Sequence, residues 1–68
     1  MTNKDIQKEL AGLFNLEKTK VKVFFECMTG NTEQYNFTLD QPSVYSKGRA
    51  VINSQTLLSV NITERILL

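Results

Sequence analysis

Residues Val44–Asn53 read VYSKGRAVIN, and the conformation of this stretch decides the fold. Val44, Tyr45, Val51 and Ile52 are β-branched or aromatic, which favours extended backbone and a strand bent at Gly48. The same residues also fit a helix capped by Asp40 or Ser43, with Val44, Val51 and Ile52 turned inward. Lys47-Gly48 falls in mid-element and weakens either reading. A strand makes the chain mainly β; a helix makes it an α+β sandwich of order α-β-β-α-β. The β-branched content favours the strand.

Upstream, Asp40–Ser43 (DQPS) is punctuation, because Pro42 cannot donate to a ladder and biases Gln41 away from helix. Before it lies a hairpin. From Lys20 to Met28, Val21, Val23, Phe25 and Cys27 alternate onto one apolar face, with Lys22, Phe24, Glu26 and Met28 on the other. TGNTE supplies turn chemistry at Gly30-Asn31, and QYNFTL returns with Tyr35, Phe37 and Leu39 on the apolar face. Downstream, SQTLLSVN and ITERILL read as two short strands, or as one long strand kinked at Asn61.

The chain opens differently. Thr2 followed by Asp5 is a capping pair, and Ile6, Leu10, Leu13 and Phe14 form a helical stripe with Lys4, Lys8 and Glu9 outside it. Gly12 costs such a helix up to about 1 kcal/mol relative to alanine, so it relies on docking. Asn15 is the expected left-handed terminator.

Sixty-eight residues make one domain, 1–68, with net charge +1, one cysteine and no histidine. A chain of this size buries only about 60% of its unfolded surface, and small folds compensate with disulfides, metals or oligomerisation. One cysteine forbids an internal disulfide, and the lack of histidine argues against structural zinc. Self-association into a homo-oligomer is the expected compensation. Cys27 reads as a small buried hydrophobe and fits a reducing compartment. No leader pattern and no apolar run near the roughly 20 residues of a spanning helix occurs. The expectation is a cytoplasmic protein without a membrane partner.

The sequence holds no P-loop, no GxGxxG and no metal-ligand spacing, and the commonest proton shuttle is missing. A binding protein without cofactors is expected, not an enzyme. Lys18, Lys20 and Lys22 cluster within five residues: a solvated face, or a phosphate-binding one. Gln7, Ala11, Asn15, Leu16, Val21 and Phe24 fall at helix-turn-helix spacing, which raises a DNA-binding regulator. The would-be recognition helix EKTKVKVFFE is too β-branched and aromatic for that role.

The block IQKELAGLFNLEKTKVKVFF, Ile6–Phe25, resembles the start of bacterial Sm-like RNA-binding proteins of the Hfq family: a short helix with an Ile-Gln start, a linker, and a VxVFF first strand. LDQ and SVNITERIL are weaker echoes, while CMTGN replaces the family's Asn-Gly turn and Ser59, Val60 and Asn61 replace its Tyr-Lys-His signature. The resemblance implies a helix capping a small bent five-stranded barrel, assembled edge to edge into a ring that binds single-stranded RNA. It also implies that Gln7 and Gln41 hydrogen-bond bases on the helix side and that Phe24 stacks bases on the opposite face. The competing class is a protein-interaction module, such as a mobile-element inhibitor or adaptor. It would dock a host protein through an exposed edge or through the face of Phe24 and Met28.

Overall fold

The structure is a computed structural model describing residues 1–68. Helix α1 spans Asn3–Phe14, a 3-10 turn covers Lys18–Lys20, and four strands come after it: β1 Val21–Thr29, β2 Thr32–Gln41, β3 Val44–Asn53 and β4 Thr56–Leu67. They form one antiparallel meander of order β1-β2-β3-β4. Val44–Ile52 is extended throughout, as the β-branched content predicts, and the α-β-β-α-β alternative is set aside.

The helix begins and ends where the sequence places its signals. Thr2 Oγ1 accepts from Asp5 N–H at 3.2 Å, and Asp5 Oδ2 accepts from Thr2 N–H at 3.0 Å, a reciprocal capping box. The Thr2 N–H and hydroxyl hold the Asp5 carboxyl below the usual carboxylate range. Asn15 closes the helix at φ 55°, and the backbone N–H of Leu16 reaches Ala11 O at 2.9 Å. The buried stripe is turned slightly from the expected one: Ile6, Leu10 and Ala11 are buried and Leu13 is 61% exposed. Ile6, Leu10 and Phe14 recur every four residues, and Leu13 lies to the side of that row.

One side of the sheet meets the helix. Val21, Tyr35, Phe37, Leu39, Ala50 and Ile52 join Ile6, Leu10 and Ala11 in the core, with Phe14 packed on Phe37 at a ring separation of 6.1 Å. Strand pairing places Gly48 directly opposite Phe37, whose ring occupies the space above it. Only 11 of 68 residues are buried, so the core is small for the surface it must hold together.

Three sequence readings are corrected by the ladders. The expected five-stranded barrel is a four-stranded open sheet, because SQTLLSVN and ITERILL run on as the single strand β4, the one-strand alternative without its kink at Asn61. Val60, Ile62 and Thr63 keep the backbone extended through Asn61, so no break occurs there. Irregularity appears instead at Leu58 and Thr63, which the register skips, and Thr63 Oγ1 bonds Lys47 O at 3.3 Å beside the second. Next, the expected Val21-Val23-Phe25-Cys27 face is interrupted at Glu26, an extra residue between the pairs Phe25–Tyr35 and Cys27–Gln34. One inserted residue reverses the facing of every side chain beyond it, so half-buried Cys27 shares the outer face with Gln34. Finally, Phe25 is 54% exposed, its ring set edge-on to Tyr35 at 5.5 Å.

Candidate nucleic-acid interface

The face away from the helix is built by the ladder in rows. Strand pairing lines up Phe24, Asn36, Arg49 and Asn61 across all four strands. The adjacent row is Lys22, Thr38, Lys47 and Glu64. Phe24 is 52% exposed, so an aromatic ring stands on a polar sheet face with a guanidinium and two amides in its own row. The bulge residue Glu26 organises the middle of this face. Its carboxylate accepts from Asn36 Nδ2 at 3.1 Å and lies 3.3 Å from Arg49 Nε. Such half-exposed pairs contribute little to stability, but they tie Asn36 and Arg49 to Glu26 in the rows that cross the sheet. Lys22 and Lys47 have no carboxylate within ion-pairing distance.

The other expected site residues lie apart from Phe24. Gln7 is turned inward: its Nε2 donates to Lys18 O at 2.6 Å and to Val21 O at 2.8 Å, tying α1 to the start of β1. Gln41, at the end of β2, accepts from the buried Ser46 hydroxyl at 3.2 Å through Oε1. Lys18 and Lys20 sit on the 3-10 turn, and Lys20 lies 3.9 Å from Asp40. Of the six expected residues, only Lys22 shares the sheet face with Phe24. Asn36, Thr38, Lys47, Arg49, Asn61 and Glu64 share that face; of these the sequence singles out only Asn61, as a kink and not as a site residue. Their common parity along β2 and β3 is a detectable signal once the strands are paired.

Known proteins give no guide here. No family model, no curated protein and no solved structure matches the chain.

No group of three or more cysteine, aspartate or glutamate side chains converges as a metal site would require. The paired Tyr35 and Glu33 are structural in geometry. The Tyr35 hydroxyl donates to Glu33 Oε2 at 2.7 Å, and that bond, with burial and the carboxylate charge, raises the phenol above its ordinary value. What the outer face offers is a half-exposed ring on a polar surface of three cations, two amides and the carboxylates of Glu26 and Glu64. No helix is long and apolar enough to cross a membrane.

Proposed function

We propose that this chain is a non-catalytic single-stranded RNA-binding protein that uses the outer sheet face. The observation that carries the reading is Phe24: a half-exposed ring in one row with Asn36, Arg49 and Asn61, the neighbouring row holding Lys22, Thr38, Lys47 and Glu64. Bases stack on such a ring regardless of sequence, amides reach base edges, and cations meet phosphates. Core packing is the competing use of a strand phenylalanine, and half exposure argues against it.

Replacing Phe24 with alanine is expected to weaken binding of a short oligouridylate about tenfold, the lower part of the range for base stacking. Thermal stability should stay within about 1 kcal/mol, because a true core phenylalanine would cost about 3–5. Fluorescence anisotropy and a melting curve on the same variant decide the matter. A large stability loss with unaltered affinity would overturn the reading.

Self-association is part of the proposal. The two outer strands, β1 and β4, carry unpaired edges on opposite sides of the sheet, and Met28, Leu58 and Leu67 lie exposed along them. Pairing β4 of one copy with β1 of the next would cover both edges and extend the sheet from subunit to subunit, as in an Sm-like ring. The small core gives that association a stabilising role. Native mass spectrometry is expected to show a closed homo-oligomer, and a stable monomer at micromolar concentration would refute it. The same apolar edges favour a second reading, a protein-docking module. Salt separates the two: with two or three phosphate contacts, log affinity falls with log salt at a slope of roughly −1.5 to −2, whereas apolar docking shows no such slope.

A further inference from the structure

A second set of unpaired cations lies away from the sheet face, in a groove between α1 and the 3-10 turn. It has a volume of about 430 Å³ and is lined by Lys4, Asp5, Gln7, Lys8, Lys18 and Thr19, with no apolar side chain among them. Three ammonium groups and one carboxylate leave a net charge of +2 (three minus one). None of the three lysines has a carboxylate partner: the ion pairs of the molecule are Lys20–Asp40 and Arg49–Glu26. Asp5 supplies the one negative charge of that sum; its Oδ2 accepts from Thr2 N–H in the capping box, and no lysine lies within ion-pairing distance of it. Lys4 and Lys8 stand one turn apart on the same helix face, where like charges repel. Gln7 fixes the opposite wall, because its two bonds to Lys18 O and Val21 O hold the backbone of the turn against the helix. The larger cleft, formed by Met1, Asp5, Lys8, Glu9 and Gln55, contains two carboxylates and lacks this bias.

We propose that this groove binds a phosphate monoester, as a second site distinct from the Phe24 face. A monoester carries a charge of about −1.5 to −2 at neutral pH and three acceptor oxygens, which matches a +2 groove with three ammonium donors. The polar walls provide no surface for a base, so recognition rests on the phosphate. Two sources share this chemistry: a free mononucleotide and the 5′ end of a strand.

The test is a titration of isotopically labelled protein at constant ionic strength, monitored by amide chemical shifts. Inorganic phosphate and uridine 5′-monophosphate are expected to shift Lys4, Lys8, Lys18 and Thr19 saturably, while uridine leaves them unmoved. Changing both Lys8→Gln and Lys18→Gln should weaken the monophosphate by roughly tenfold, each exposed charge contributing up to about fivefold. Both side chains are exposed, and the Lys18 carbonyl that holds Gln7 is retained in the variant. A 5′-phosphorylated hexauridylate that binds at least tenfold tighter than both its 5′-hydroxyl form and the monophosphate identifies a strand end as the ligand. Equal affinity for the monophosphate and the phosphorylated strand identifies the free nucleotide. Shifts that track ionic strength without saturating, or an unchanged midpoint in the double variant, overturn the proposal. Phe24→Ala should leave monophosphate binding intact, so failure of the groove and failure of the sheet face are read separately.

Discussion

Replacing Gly48 with alanine is expected to lower the melting temperature by about 12–24 °C. A Cβ at this position would overlap Phe37 Cζ and lie 2.5 Å from the backbone oxygen of Asn61. Neither neighbour can give way cheaply. Phe37 is 1% exposed and held by Phe14, and the Asn61 carbonyl belongs to the β3–β4 ladder. Overpacking a core typically costs about 1–3 kcal/mol, and backbone on one side places this case at the upper end, near 3. The whole domain is held by only about 3–10 kcal/mol, so the loss is a large fraction of the total. Gly12 is the internal control. An added Cβ there meets nothing within 4 Å, so Gly12→Ala should stabilise the helix by up to about 1 kcal/mol. Melting curves of the two variants should move in opposite directions. Equal shifts would show that Gly48 is retained for a reason other than space.

The requirement at Gly48 also shows what the sequence made legible. Val44, Tyr45, Val51 and Ile52 tilt this stretch toward a strand without excluding a helix, and Gly48 within it marks the place of a bend. That its partner would be Phe37 depends on register, which is set by pairing and not by local preference. The helix was readable at both ends because Thr2, Asp5 and Asn15 act on their own backbone. The faces of β1 were readable only as far as Phe25. Beyond it Glu26 is an extra residue, and nothing in VKVFFECM marks a bulge until β2 is laid alongside. The fifth strand failed for a related reason: Asn61 looks like a break in isolation, but β3 pairs straight across it. Phe24 was placed on the solvent side by simple alternation, since it precedes the bulge. Lys4 and Lys8 were legible as neighbours on a helix, whereas Lys18 joins them only through the path of the linker.

Gln7 is where sequence resemblance and geometry assign different work to one residue, and Gln7→Glu separates the two. The resemblance has this side chain reading bases. In the fold its amide donates to Lys18 O at 2.6 Å and to Val21 O at 2.8 Å, and the second bond is partly buried. A carboxylate in its place offers no donor and sets one oxygen, where Nε2 was, against both carbonyls. The loss of two hydrogen bonds at about 1 kcal/mol each, with repulsion added, gives an expected destabilisation of about 3 kcal/mol at neutral pH. Protonation would restore one donor, so the carbonyls should raise the pKa of the new carboxyl above its ordinary value of about 4.3. A group whose folded pKa is raised stabilises fully below its unfolded pKa, and that contribution disappears as pH rises through the folded pKa. The deficit of Gln7→Glu relative to the parent protein should therefore shrink below about pH 4 and be complete at neutral pH, which denaturant melts at the two pH values would measure. A variant with parental stability at neutral pH but weakened RNA binding would return Gln7 to the role of base reader. The expected outcome makes it the clamp that holds the 3-10 turn against the helix, and through that turn it sets the position at which Lys18 faces Lys4 and Lys8.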